Sequence, residues 1–156
     1  MASQKTGLIL LLCGISVISG RNAGQVVRTP DGYLVSKTPA TWKEAFVFCA
    51  QNGMDLVSIT SADEFAAVIE ALLSSKINQR GFWTSGTRFG NGGNAFVWFS
   101  TGKPVVFSAF ANGQPDNYNN NEDCIEVLSY SKPGTWEWND YPCTERRGFI
   151  CQERIC

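Results

Sequence analysis

Oxygen-bearing side chains in the C-terminal half of the chain are the residues that could do chemistry. They lie in two segments, 114–124 and 138–140, and the candidate ligands are Gln114, Asp116, Glu122, Asn139 and Asp140. Calcium takes about six to eight oxygen ligands from carboxylates, amide carbonyls and water, and these side chains supply such oxygens. We therefore predict a calcium site. The alternative interpretation is a polar, asparagine-rich loop that is simply solvated.

The composition excludes several classes of function. No histidine occurs among the 156 residues, which removes the commonest general base and the usual catalytic zinc ligand. The 13 Lys and Arg nearly balance the 14 Asp and Glu, so no broad basic face for nucleic acid is expected. A chain of this length forms one domain with a real core once a targeting segment is removed.

The first twenty residues read as an export signal. Lys5 gives a positive flank, an apolar run follows over 7–18, and the small residues Ser19 and Gly20 come next. The run is shorter than the ~20 residues that span a bilayer, so we predict a cleaved signal peptide and no membrane span. The mature protein is therefore expected to be secreted and extracellular. Residues 21–29 are expected to form a short N-terminal tail.

Export changes how the cysteines are interpreted. Cleavage removes Cys13 and leaves an odd number in an oxidising compartment, namely Cys49, Cys124, Cys143, Cys151 and Cys156. Their spacing does not select a pairing, and one thiol is left over or pairs outside the chain. A bridge between Cys124 and Cys143 would hold the two acid-bearing segments together. Without a CxxC pair or a histidine, a zinc cluster is excluded.

Two helices are predicted in the N-terminal half. Apolar residues recur at helical spacing over 41–52, and Thr41 with Glu44 forms a capping-box pattern at the start of that segment. The same pattern recurs at Ser61 and Glu64, ahead of a second apolar segment. The apolar stripes of both segments are interpreted as core.

Short strands separated by Gly, Asn and Pro follow the helices, which makes the fold class α+β. Strands are predicted at 55–59, 81–84, 96–99, 124–128, 135–138 and 148–151. The stretch from Phe99 to Asp123 has little periodicity, and such a segment inside a compact domain is typical of a functional loop. Its acids and amides favour that interpretation.

Several short motifs stand in the order found in the C-type lectin family. They are Gly81-Phe82-Trp83-Thr84-Ser85-Gly86, Gln114-Pro115-Asp116, Glu122-Asp123-Cys124, Trp138-Asn139-Asp140, Cys143 and Gly148-Phe149-Ile150-Cys151. Together these motifs are specific, although Gln-Pro-Asp alone would be weak. The chain resembles the small secreted, single-domain lectins of arthropods over residues 30–153, which leaves 154–156 as a C-terminal tail.

The resemblance implies a C-type lectin-like fold, with two helices and short antiparallel sheets beside a long irregular loop that binds calcium and sugar. It implies a binding protein and not an enzyme. It also implies the bridges Cys49–Cys151 and Cys124–Cys143, and a cis peptide bond before Pro115.

The resemblance further implies the ligands of the site. One calcium ion is expected, because Arg88 and Asn117 stand where an auxiliary calcium would need acids. In the family, Gln-Pro-Asp is linked to galactose-type sugars, since an amide at 114 and an acid at 116 set the order of donors and acceptors for two hydroxyls. The expected sugar contacts are Gln114, Asp116, Tyr118, Glu122 and Asn139, with the Tyr118 ring stacking on the sugar.

Glycans with galactose-type ends, on microbial or cell surfaces, are therefore the expected partners, in innate immune recognition or agglutination. One alternative is a calcium-independent member of the same fold that binds protein or lipid. Another is a glycosidase that uses Glu122 with a second carboxylate. Because four cysteines close the two implied bridges, Cys156 is expected to be free to link a second chain in a dimer.

Overall fold

The computed structural model describes residues 25–88, 95–129 and 134–154. The predicted signal segment 1–20 lies outside these residues, and so does Cys156, on which the dimer hypothesis depends. Within the described residues, neither helix has the length and apolar character needed to cross a bilayer.

Two helices form where the capping patterns predict them. Helix α1 spans Trp42–Gln51 and helix α2 spans Ala62–Ser75. Thr41 caps α1 in a full capping box, because its hydroxyl accepts from the Glu44 amide while the Glu44 carboxylate accepts from the Thr41 amide. At α2 only half of the box forms. The Ser61 hydroxyl accepts from the Glu64 amide, but the Glu64 carboxylate binds Thr60 instead.

Nine strands complete the α+β fold in the described part of the chain. They are β1 (Val26–Arg28), β2 (Leu34–Ser36), β3 (Met54–Leu56), β4 (Gly81–Thr87), β5 (Val97–Trp98), β6 (Lys103–Pro104), β7 (Cys124–Ser129), β8 (Trp136–Tyr141) and β9 (Gly148–Glu153). The path across the sheet is β1-β2-β9-β4-β5-β6, with β3 on β9, and β7 joining β4 to β8. The loop after β6 is irregular up to a 3-10 turn at Tyr118–Asn120.

Two details of the sheet differ from the sequence-based expectation. Strands β4 and β9 pair in parallel, with Phe82 opposite Gly148 and Trp83 opposite Phe149. The reason is that β9 does not form a hairpin with β8 but passes to the other edge of β4, where it lies between β4 and β2.

The segment 21–29, expected to be a tail, contains β1, which pairs with β2. Three residues are too few to give a period-2 signal.

The core holds strand β8 through Trp138. This side chain is fully buried, and Phe65, Trp98, Phe107 and Phe110 approach its ring edge-on at centroid distances of 5.5 to 5.8 Å. Edge-to-face contacts of this kind stabilise beyond the burial of apolar area alone. The core therefore fixes the position of the next two residues of β8, Asn139 and Asp140.

Both disulfides implied by the resemblance are confirmed. Cys49–Cys151 joins α1 to β9 across a sequence separation of 102 residues, and Cys124–Cys143 joins the start of β7 to the turn after β8 across 19 residues. The first bridge connects distant parts of the chain, whereas the second lies next to the acid-bearing segments. The Gln114–Pro115 peptide bond is cis, as the resemblance also implies.

The two bridges are expected to contribute unequally to stability. In the chain-entropy account, closing a loop of about 100 residues stabilises by about 4.7 kcal/mol, and a loop of about 20 residues by about 3 kcal/mol. Cys49→Ala/Cys151→Ala should therefore lower the free energy of unfolding by about 1 to 2 kcal/mol more than Cys124→Ala/Cys143→Ala. Urea unfolding of the two variants beside the unaltered protein measures this difference. A larger loss for the second pair would contradict the prediction.

Candidate metal centre and ligand cavity

Three carboxylates from two segments of the chain meet at the irregular loop. Asp116 lies in the loop after β6, Glu122 precedes β7, and Asp140 belongs to β8. One oxygen from each side chain lies within 4.8 Å of the other two. Carboxylates brought this close repel one another unless a proton or a cation lies between them.

Asp140 holds the loop against β8. Its side chain is 0% exposed, and both of its oxygens are used. Oδ1 accepts from the Asp116 amide at 3.1 Å, and Oδ2 accepts from the Asn117 amide at 2.9 Å and from Arg88 Nη2 at 2.5 Å. The Arg88 guanidinium also lies over the Phe96 ring, 4.3 Å from its centroid. A buried carboxylate is stable only with such partners, so Asp140 determines where residues 116 and 117 lie.

Glu122 and Asn117 close the loop on itself. The Glu122 carboxylate accepts from the Tyr118 amide at 2.9 Å, and the Asn117 side-chain oxygen accepts from the Glu122 amide at 3.1 Å. Asn117, Asn119 and Asn120 have φ angles of 47°, 56° and 53°. Asparagine adopts this left-handed region more readily than most residues. The run of asparagines therefore serves the backbone of the turn, and the carboxylates carry the charge.

The pKa of the Glu122 carboxyl is raised to about 7. Burial is the largest cause, and a hydrogen bond with Asp116 and the charges of Asp140 and Asp116 act in the same direction. The hydrogen bond from the Tyr118 amide opposes them. Without a cation, the site therefore holds a proton over part of the neutral range. A bound cation would favour the ionised carboxylate instead.

The remaining predicted ligands lie in the same place. Gln114 and Asn139 line one cavity of about 370 Å³ together with Asp116 and Glu122. Asn139 Nδ2 donates to Glu126 Oε1 at 3.1 Å, which leaves the amide oxygen of Asn139 available to a cation. All five predicted donors are oxygen atoms of carboxylates or amides, the ligand set that suits a hard cation such as calcium.

Tyr118 lines the same cavity at its open side. The residue is 68% exposed, and its backbone amide is tied to the Glu122 carboxylate. An exposed ring on an anchored backbone can offer a flat apolar face to a ligand. The structure thus brings together all the residues that the sequence predicts for the site.

The sequence analysis did not identify a second group of residues that lines this cavity. These residues are Arg80, Glu126, Leu128, Tyr141 and Arg147. The available signal was Glu126, an acid inside the otherwise apolar run Cys124–Leu128. Side chains two apart on a strand share a face. An acid there needs a partner that only tertiary structure supplies.

The chain is similar to known proteins in sequence and in fold. A family model described as "Lectin C-type domain" matches residues 38–153. "Salivary C-type lectin 1" of Aedes albopictus is 27% identical over 151 residues, which cover 92% of this chain and 96% of that protein. "Lectin subunit alpha" of Sarcophaga peregrina is 30% identical over 135 residues, which cover 82% of this chain but only 47% of that protein. Among solved structures, "C-type Lectin CEL-I from Cucumaria echinata" superposes with a TM-score of 0.66 at 27% identity, covering 81% of this chain and 93% of that one.

Glu122 should make the metal-free domain less stable as the pH rises through 7. Its folded pKa of about 7 exceeds the ordinary value of 4.5, so the folded state binds the extra proton between these values. The stability that this proton supplies is lost as the pH rises through about 7. In EDTA, the melting temperature should fall more between about pH 6 and pH 8 for the unaltered protein than for Glu122→Gln.

Glu122→Gln is a matched control because it keeps the shape of the side chain and removes its titration. Thermal unfolding followed by circular dichroism measures both proteins in the same buffers. Identical slopes of melting temperature against pH would contradict the assignment of the proton to Glu122. In the presence of calcium, the melting temperature of the unaltered protein should instead rise with pH, because metal and proton compete for the same oxygens.

Proposed function

Because the chain belongs to the C-type lectin domain family, whose domains bind carbohydrate and are not enzymes, we propose that it is a secreted, calcium-dependent lectin for galactose-type terminal sugars. The observation that carries this proposal is the convergence of four oxygen-bearing side chains on one cavity beside an exposed tyrosine ring, with a carboxylate oxygen of Asp140 within 4.8 Å of two of them. A structural loop would have no need to concentrate carboxylates that repel one another.

Gln114, Asp116, Glu122, Asn139 and Asp140 are the proposed calcium ligands. When bound, calcium offers coordination positions that two neighbouring sugar hydroxyls can take from water. The protein supplies the remaining hydrogen bonds. Carboxylate oxygens of Asp116 and Glu122 accept from hydroxyl groups, and the amide groups of Gln114 and Asn139 donate to them. Of the two Asn139 Nδ2 hydrogens, one is used by Glu126 and the other is available to a hydroxyl.

The preference for galactose over mannose is assigned to the order of Gln114 and Asp116. The amide of Gln114 can donate a hydrogen bond and the carboxylate of Asp116 can only accept one, so donor precedes acceptor along the chain. An acid followed by an amide would give the opposite order. The order found here suits the axial 4-hydroxyl of galactose. Tyr118 supports the same specificity, because its exposed ring can pack against the apolar face of the sugar.

A single calcium ion is the proposed stoichiometry. Arg88 already places a positive charge against Asp140, with Nη2 and Oδ2 2.5 Å apart. Asn117, where a second site would need an acid, uses its side-chain oxygen to accept from the Glu122 amide. A further divalent ion beside Arg88 would meet like-charge repulsion.

The two alternative functions fit the site less well. A calcium-independent module would not require three carboxylates within 4.8 Å of one another. A glycosidase separates its carboxyl groups by about 5 Å or more to admit the sugar, and by more than about 6 Å to admit a water as well. The oxygens of Asp116, Glu122 and Asp140 are closer than this, and they fit a shared cation better than an acid and a nucleophile.

The biological setting is part of the proposal. Secretion is proposed on the basis of the apolar run over 7–18, and glycans on microbial or cell surfaces are the proposed partners, in innate immune recognition or agglutination. A disulfide between two copies of Cys156 would make the lectin divalent and raise its avidity for such surfaces.

Retention on a galactose column tests the proposed function. The protein should bind in calcium, elute with EDTA and release no hydrolysed sugar. Asp116→Ala should abolish retention because it removes a ligand of both metal and sugar. Lys103→Ala, an exposed residue of β6, serves as the control and should bind normally. Retention that survives EDTA would favour a calcium-independent module, and released sugar would favour an enzyme.

Gln114→Glu together with Asp116→Asn should shift selectivity from galactose towards mannose without loss of calcium. The exchange leaves the formal charge of the site unchanged and inverts only the hydrogen-bond order. Each affinity should change by about 1 to 3 kcal/mol, the cost of an unsatisfied polar group. Competition by free galactose and free mannose measures the shift. Tyr118→Ala in the same background should complete it, whereas an unaltered galactose preference would show that these residues do not set specificity.

A further inference from the structure

The ligand cavity has a second end that the proposed calcium site does not use. Gln114, Asp116, Tyr118 and Glu122 line one end, and Arg80, Glu126, Leu128, Tyr141 and Arg147 line the other. Asn139 belongs to both, because its side chain binds Glu126. A volume of about 370 Å³ falls within the range of about 300 to 1,000 Å³ for pockets that enclose drug-sized ligands. The cavity therefore has room for more than a single terminal sugar.

An ion pair forms the floor of this second end. Glu126 is 1% exposed, and its Oε2 accepts from Arg147 Nε at 2.6 Å. The Arg147 guanidinium also lies over the Tyr141 ring, 4.0 Å from its centroid. The local backbone makes room for this pair, because a Cβ at Gly81 would lie 2.2 Å from Glu126 Oε2. The charges of Glu126 and Arg147 cancel, so this pair adds no net charge to the second end.

Arg80 leaves the second end with a net positive charge. It is an exposed residue at the rim, just before β4, and its carbonyl oxygen accepts from the Ser129 amide. Within the described ranges 25–88, 95–129 and 134–154, no carboxylate forms a salt bridge with Arg80. Among the residues that line this end, Glu126 and Arg147 form a pair, so Arg80 contributes the remaining positive charge.

We propose that this end of the cavity binds an anionic group, a sulfate or a carboxylate, carried by a glycan whose galactose-type residue occupies the calcium end. Arginine suits both anions because its planar guanidinium can donate two parallel hydrogen bonds to them. The proposal rests on the proposed lectin function and adds the substrate class: acidic galactose-type glycans bind more tightly than neutral ones.

Isothermal titration in calcium with lactose, 6′-sulfated lactose and 6′-sialyllactose tests the proposal, because substitution at the 6′ position leaves the 3- and 4-hydroxyls of galactose free for calcium. The sulfated and sialylated probes distinguish the two anions. At least one of them should bind about threefold to tenfold more tightly than lactose. This gain in affinity lies between the gain expected from an exposed ion pair and the gain expected from a charge-assisted hydrogen bond. In Arg80→Gln the ratio of acidic to neutral affinity should fall towards one. Lys103→Gln removes the same charge away from the cavity and should keep the ratio.

The outcomes separate this proposal from the lectin function itself. Calcium-dependent binding of lactose with no gain for either acidic probe would overturn the anion subsite and leave the lectin function intact. Equal losses in Arg80→Gln and Lys103→Gln would also overturn it, because the gain would then reflect overall charge. Acidic probes that bind through Arg80 while lactose does not bind would support the subsite and refute the neutral-galactose function. Absence of binding by all three probes would refute both.

Discussion

The buried carboxylate of Asp140 is the constraint on which the rest of the site depends. A charge with no exposure to water must be matched inside the protein, and here the partners come from two distant parts of the chain. The amides of residues 116 and 117 and the guanidinium of Arg88 all converge on its two oxygens. The loop therefore takes its position from the need to satisfy Asp140. The cluster with Asp116 and Glu122, and the raised pKa of Glu122, follow from that position.

The pairing of β7 with β8 explains why one short strand can supply both core and site. Glu126 lies opposite Asn139, whereas Ile125 lies opposite Asp140 and Val127 opposite Trp138. Because side chains alternate between the faces of a sheet, Asn139 points to the cavity and Trp138 to the core, while Asp140, next to the end of the strand, meets Asp116 and Glu122 at the base of the loop. A register slip by one residue would exchange the two faces. The packed rings around Trp138 oppose such a slip.

The parts of the molecule that depend on local signals could be predicted from the sequence. The capping residues Thr41 and Ser61 identify both helices, and the motifs at 114–116, 122–124 and 138–140 contain the five proposed ligands. What depends on distant pairing could not be predicted. The parallel contact of β4 with β9, the short strand β1 and the Arg147–Glu126 ion pair join residues that no sequence period connects. The Arg88–Asp140 contact could not be predicted either, because the two residues are 52 positions apart.

Arg88 is a cation that cannot dissociate from its site. A protein that orders its loop with two metal ions needs both to be present, so its response to falling calcium is steeper than that of a single equilibrium. Here one of the positive charges that the loop requires is covalently part of the chain, next to Asp140. With a single exchangeable ion, ligand binding would follow free calcium hyperbolically, without a threshold. Such a lectin would keep a graded share of its activity in fluids whose calcium concentration varies.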